Sequence, residues 1–250
     1  MTALSTREEK FEEIAEKFEA CLRKFEAIDP FNDDRDRGFD AQPQSWVNHQ
    51  RTLLLREQLQ TGAAAVRDPS FVSSLRSTLR SWSIWGQGAK EHRQVPFEDA
   101  LKHLEDGELE ELSIDQLSHE EARKVGERLW VIIDRGELTW SRRYDRPCMG
   151  QVVPYTKALH HVYPGLVPPM DTANTSRVIT GITNPPNQLF VDAFCLFRDL
   201  AMTVRPRRYV TKDWREPGYR PDKWHTTPAK VLDNALIGYQ RMREAGETRT

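Results

Sequence analysis

Asp171 closes a stiff stretch, Pro164-Gly165-Leu166-Val167-Pro168-Pro169-Met170, and stands at the start of a predicted helix. The two prolines fix the backbone ahead of it, and the partial positive charge of a helix start keeps a carboxylate ionised. An acid held in this way can serve as a catalytic carboxylate. The same placement also describes a common helix N-cap, and both roles can reside in one residue.

Other residues around it have chemistry to offer. Gly150 and Pro154 form a turn that leads through Val152 and Thr156 to Lys157, and such a turn can present backbone N–H groups and an ammonium to a phosphate. An ordinary helix start with an exposed lysine explains it more simply. Trp140, Arg142, Arg143, Tyr144 and Arg146 mix cations with aromatic rings. That mixture suits phosphate contact and base stacking, and it also suits an amphipathic surface loop. Trp85 could line a pocket, Trp82 reads as core, and Trp214 stands in a segment rich in Pro, Arg and Trp. His160 and His161 are neighbours on a predicted helix, so they point apart. One is expected to pack and the other to be solvated, and they do not form a ligand pair for one metal. The chain contains no HExxH, paired CxxC, GxSxG, Walker or GxGxxG pattern.

The elements that must position these residues read as helices. Over residues 7–28, Phe11, Ile14, Phe18, Leu22, Phe25 and Ile28 recur at spacings of three and four, with Ser5 and Glu8 as a capping box. Further helices are predicted over 45–60, from Asp68-Pro69 through Phe71, Leu75 and Leu79, over 96–104, from a Ser118/Glu121 capping box to Gly136, and over 153–163. Others follow after Asp171, from Pro185-Pro186 through Leu200, and over 228–243. No alternating strand pattern, internal repeat or low-complexity tract occurs. The fold class is therefore all-α, a multi-helix globule with an acidic N-terminal helical extension over 1–40 and an all-helical domain over 41–250. Residues 204–228 form a long irregular segment, and such segments tend to be functional or disordered.

Composition narrows the classes. With 38% hydrophobic and 30% charged residues the chain can bury a core in water. There is no apolar run long enough for a membrane span, and the charged N-terminus lacks a signal core, so a cytoplasmic location without membrane partners is expected. Three scattered cysteines fit a reducing compartment and suggest neither a disulfide framework nor a metal site. The net charge of −2 hides an asymmetry. Residues 1–40 are acidic, whereas Arg198, Arg205, Arg207, Arg208, Lys212, Arg215, Arg220 and Lys223 form a basic stretch that allows polyanion binding.

The unit over residues 147–182 resembles the helix-hairpin-helix DNA glycosylase superfamily. The match runs through Gln151-Val152-Val153-Pro154-Tyr155-Thr156-Lys157-Ala158, then Asp171-Thr172, then Arg177-Val178. Val152 and Pro154 stand where the usual pattern has glycines, and Ala173 stands where it has histidine. The resemblance implies an enzyme that flips a damaged or modified base out of double-stranded DNA and breaks its N-glycosidic bond, with Asp171 as the catalytic carboxylate. Gly150, Val152, Thr156, Lys157, Arg142, Arg143 and Arg177 would contact DNA, and Trp85, Trp140 and Trp214 would line the base pocket. Thr156 stands where lyase-competent members carry lysine, which implies a monofunctional enzyme. No four-cysteine cluster is present, so neither an iron–sulfur centre nor any other cofactor or metal is implied. The target would be a base in DNA repair or in modified foreign DNA. The alternatives are a non-catalytic helical DNA-binding protein, or an interaction module that docks through its Phe-rich N-terminal helix.

Overall fold

Local signals that need only neighbouring residues become helices close to where they are expected. The computed structural model describes residues 2–27, 43–59, 62–81, 107–135, 152–170, 178–181, 189–210 and 225–247. Among these the regular structure is all helical, with no strand. Eight α-helices are described: α1 (Thr2–Glu16), α2 (Phe18–Glu26), α3 (Pro43–Leu59), α4 (Pro69–Ser81), α5 (His119–Arg135), α6 (Val153–Val162), α7 (Phe190–Val204) and α8 (Pro228–Glu244). Short 3-10 turns cover Gly62–Arg67, Gly107–Leu109, Ile114–Gln116 and Pro206–Tyr209. None of the described helices is long and apolar enough to cross a membrane.

Capping chemistry sets several of the helix starts. At α5 the expected box closes reciprocally. The Ser118 N–H donates to Glu121 Oε2 at 2.7 Å, and the Glu121 N–H donates to Ser118 Oγ at 3.2 Å. Asp68 Oδ1 accepts from the backbone N–H of Ser70 and Phe71 at the start of α4. Thr227 caps α8 by accepting from the Lys230 N–H at 3.2 Å.

The N-terminal reading changes in two ways. The helix begins at Thr2, which places Ser5 inside it and not at its start. The helix is also interrupted at Lys17, although its hydrogen-bond ladder continues through Lys17 to Glu13 and from Cys21 to Lys17. Much of its described apolar face packs inward, with Phe11 partly buried. Ile14, Phe18, Cys21, Leu22 and Phe25 are all buried, and α2 packs along α8. Gly238 of α8 makes that packing possible, because a Cβ there would lie 1.9 Å from the Cys21 carbonyl oxygen. Glu13, also buried, accepts from Lys17 Nζ at 2.9 Å and from the Tyr239 hydroxyl at 2.8 Å. From Ile14 to Phe25 the segment read as an extension is therefore part of the core.

α5 pairs with α7, α3 pairs with α4, and α6 sits against both α3 and α4. The stripe Phe71, Leu75 and Leu79 of α4 is buried as its spacing predicts. The helix expected over 96–104 and the starts expected at Asp171 and Pro185 lie outside the described residues. Residues 178–180 form a π turn.

Candidate functional site

α6 and the loop after it are enclosed on all sides. From Tyr155 to Met170, only Pro164 and Gly165 are more than 9% exposed. α6 has no side-chain cap, and Pro154 lies in its first turn. At the other end, the Tyr163 carbonyl accepts from the N–H groups of Leu166 and Val167, each at 3.0 Å. Gly165 docks on the 3-10 turn before α5, where its carbonyl accepts from the Ile114 N–H at 3.0 Å. Arg56 of α3 donates from Nε to the Val162 carbonyl at 2.6 Å, closing the last turn of α6.

Thr156 ties the end of the loop to the helix. Its hydroxyl accepts the Met170 N–H at 3.3 Å and lies 3.0 Å from the Val153 carbonyl and 3.3 Å from the Met170 carbonyl. Thr156→Val keeps the shape and removes the acceptor, leaving the buried Met170 N–H without this partner. Urea denaturation is expected to show a loss of about 1–3 kcal/mol, with Thr156→Ser keeping most of it. A valine variant as stable as the parent would mean that the hydroxyl does not hold the loop.

These placements correct part of the expected DNA contact. Val152 and Thr156 are fully buried and Lys157 is 7% exposed. A helix surrounded by protein offers these side chains to its own core, and the Thr156 hydroxyl is committed there, so none of the three meets a surface phosphate. Gly150, Arg142, Arg143, Asp171, Arg177, Trp85, Trp140 and Trp214 lie outside the described residues.

The histidines bring a second correction. Both His160 and His161 are fully buried, because α6 has no solvated face at this level. His49 of α3 joins them. The ring centroids are 5.0 Å apart for His49–His161, 5.4 Å for His160–His161 and 5.7 Å for His49–His160. Among the described residues, no group of three or more His, Cys, Asp or Glu could hold a metal ion.

Backbone carbonyls decide the tautomers. A carbonyl only accepts, so His160 Nδ1–H donates to Val167 at 2.8 Å and His161 Nδ1–H donates to Lys157 at 2.7 Å. His161 Nε2 is then an acceptor, and His49 Nδ1–H donates to it at 2.9 Å. His49 Nε2 in turn accepts from the Thr226 hydroxyl at 3.2 Å. His160 Nε2 is buried and has no hydrogen-bond partner. Burial, the largest cause, holds His49 and His160 well below the usual 6.5 and pushes His161 down to about 4.

Beside this cluster Lys230 and Asp233 of α8, 1% and 2% exposed, form an ion pair at 2.5 Å. His225 links α8 to α2. Its Nδ1 accepts from Asn234 Nδ2 at 3.1 Å, so Nε2–H donates to Glu26 at 2.9 Å. Sequence reasoning did not find His49, Thr226, Lys230 or Asp233. Their partners are far along the chain, and periodicity carries no signal for them.

Comparison with known proteins adds no relative: no protein-family model, curated protein or solved structure matches the chain.

Proposed function

We propose that the chain is a monofunctional DNA N-glycosylase that uses Asp171 as its catalytic carboxylate. The likeness of residues 151–178 to the helix-hairpin-helix glycosylases carries this reading. It is supported by the fixed backbone at Met170, held by Thr156 immediately before the acid. A carboxylate on a rigid mount costs little reorganisation when positive charge builds on the sugar, and it can instead orient the attacking water. In this reading Arg142, Arg143 and Arg177 hold phosphates, and Trp85, Trp140 and Trp214 stack on the flipped base. The buried Thr156 hydroxyl has no nucleophilic amine to offer, in keeping with hydrolysis rather than lyase chemistry.

The test is base release. Duplexes carrying oxidised, alkylated, deaminated or hypermodified bases are incubated with the protein, and abasic sites are cleaved with alkali. At least one substrate is expected to be cut, and Asp171→Asn is expected to lower the rate by about a hundredfold or more. Equal cutting by the variant removes Asp171 from the mechanism, and no cutting of any duplex ends the enzymatic reading.

A further inference from the structure

α3 and α4 pack side by side, and small polar groups meet along their seam. The Thr52 hydroxyl lies 2.8 Å from both the Ser74 and the Thr78 hydroxyls, and the Asn48 amide donates to the Ser77 carbonyl at 3.2 Å. Beside this seam a cavity of about 410 Å³ opens between the two helices. Asn48 and Arg51 line it from α3, and Pro69, Ser70, Ser73 and Ser77 line it from α4. Its volume is in the range of small-ligand sites, but its wall is polar, with Pro69 as the one apolar residue. A hydrophobic ligand has little surface to bury there.

The donors of this wall are unused. Arg51, Ser70 and Ser73 are exposed, and their side chains make no hydrogen bond or ion pair with the described residues. Other arginines of the same fold are committed: Arg56 to the Val162 carbonyl, Arg198 to the Leu117 carbonyl and Asp199, and Arg207 to Asp115. No acid lines the cavity. Asp68 lies at the start of α4, where its Oδ1 accepts from the N–H groups of Ser70 and Phe71. The helix start is thus already capped, and the positive charge of the cavity comes from the Arg51 guanidinium.

A planar fork of N–H donors facing two hydroxyls across a water-filled gap suits a tetrahedral oxyanion. The guanidinium takes two oxygens in parallel bonds, and each serine donates to another. We propose that this cavity is a phosphate-binding site, in which Arg51 grips the phosphate and the Ser70 and Ser73 hydroxyls complete its shell. Two sources share this chemistry, a small phosphomonoester and the backbone of a nucleic acid. The proposal does not depend on the glycosylase reading.

Amide and arginine side-chain spectra of the full chain test this during titration with inorganic phosphate, glycerol phosphate and a short undamaged duplex, with chloride at matched ionic strength as the control. The Arg51 Nε–H and the amides of Ser70 and Ser73 are expected to shift with phosphate and not with chloride. Arg51→Gln keeps a donor but loses the charge and the fork, and it is expected to weaken binding by about tenfold to a hundredfold. Arg51→Lys keeps the charge alone and is expected to fall between the two. Arg51 is exposed, so both variants are expected to fold. Tighter binding of glycerol phosphate than of the duplex supports the site with a small phosphomonoester as its ligand. A duplex affinity whose salt slope drops by about one in Arg51→Gln supports it with a backbone phosphate as its ligand. No shift with any of the three phosphates, an equal shift with chloride, or undiminished binding by Arg51→Gln overturns the proposal.

Discussion

Gly238→Ala is expected to destabilise the fold by about 3 kcal/mol or more, although alanine is the better helix former by about 1 kcal/mol. The two effects oppose each other, and distance decides between them. The new Cβ would lie 1.9 Å from the Cys21 carbonyl oxygen and 2.7 Å from its carbonyl carbon. Both are backbone atoms inside α2, so no rotamer change relieves the overlap. α2 would have to move away from α8, opening gaps around Phe18, Leu22 and Phe25. Gly126 in α5 is the control. A Cβ there would meet Val191 Cγ1 at 3.2 Å and Phe194 Cδ1 at 3.4 Å, both side-chain atoms that can yield. Gly126→Ala should stay within about 1 kcal/mol of the parent. Urea denaturation of both variants checks the pair, and a Gly238→Ala protein as stable as Gly126→Ala would mean that the helices do not cross this closely.

The contrast between these glycines shows what can be read from sequence. Each sits inside a helical pattern, and nothing local separates one from the other. The Ser118/Glu121 box and the Phe71–Leu75–Leu79 stripe were legible because a helix brings residues three and four apart together. The Phe18–Leu22–Phe25 stripe was legible as a face, but not its partner: α8 follows more than two hundred residues later. The histidine cluster was illegible for the same reason. His49 bonds a residue 112 positions away and another 177 positions away. The rule that adjacent helical residues point apart held for His160 and His161. What failed was the assumption that one of the two directions leads to water, and a helix enclosed by α3, α4 and the loop over 163–170 has no such direction at this level. Of the candidate site, the non-helical loop over 163–170 was legible in its prolines. The hydroxyl of Thr156 that fixes the loop's end was read instead as a phosphate contact, because its partner Met170 lies 14 residues on.

Lys230→Met is expected to cost about 3–5 kcal/mol, the usual penalty for removing one partner of a buried ion pair. The ammonium and the Asp233 carboxylate are almost fully enclosed, so water cannot replace the missing partner. Desolvation of the remaining carboxylate, not the lost attraction, is the larger part of that cost. The double change Lys230→Met with Asp233→Leu is therefore expected to recover most of the loss or exceed the parent. Urea denaturation of the single and double variants separates the two contributions, and a double variant no better than the single one would mean that the pair is held for its hydrogen bonds to other groups. The same cycle reaches the histidines. Lys230 opposes protonation of all three rings, and it is the group on α8 that does so. Its removal brings their folded pKa values closer to 6.5, so the double variant should lose less stability between about pH 6.5 and about pH 4 than the parent does. An acid response as steep as the parent's would place the resistance to protonation in burial and the neighbouring rings.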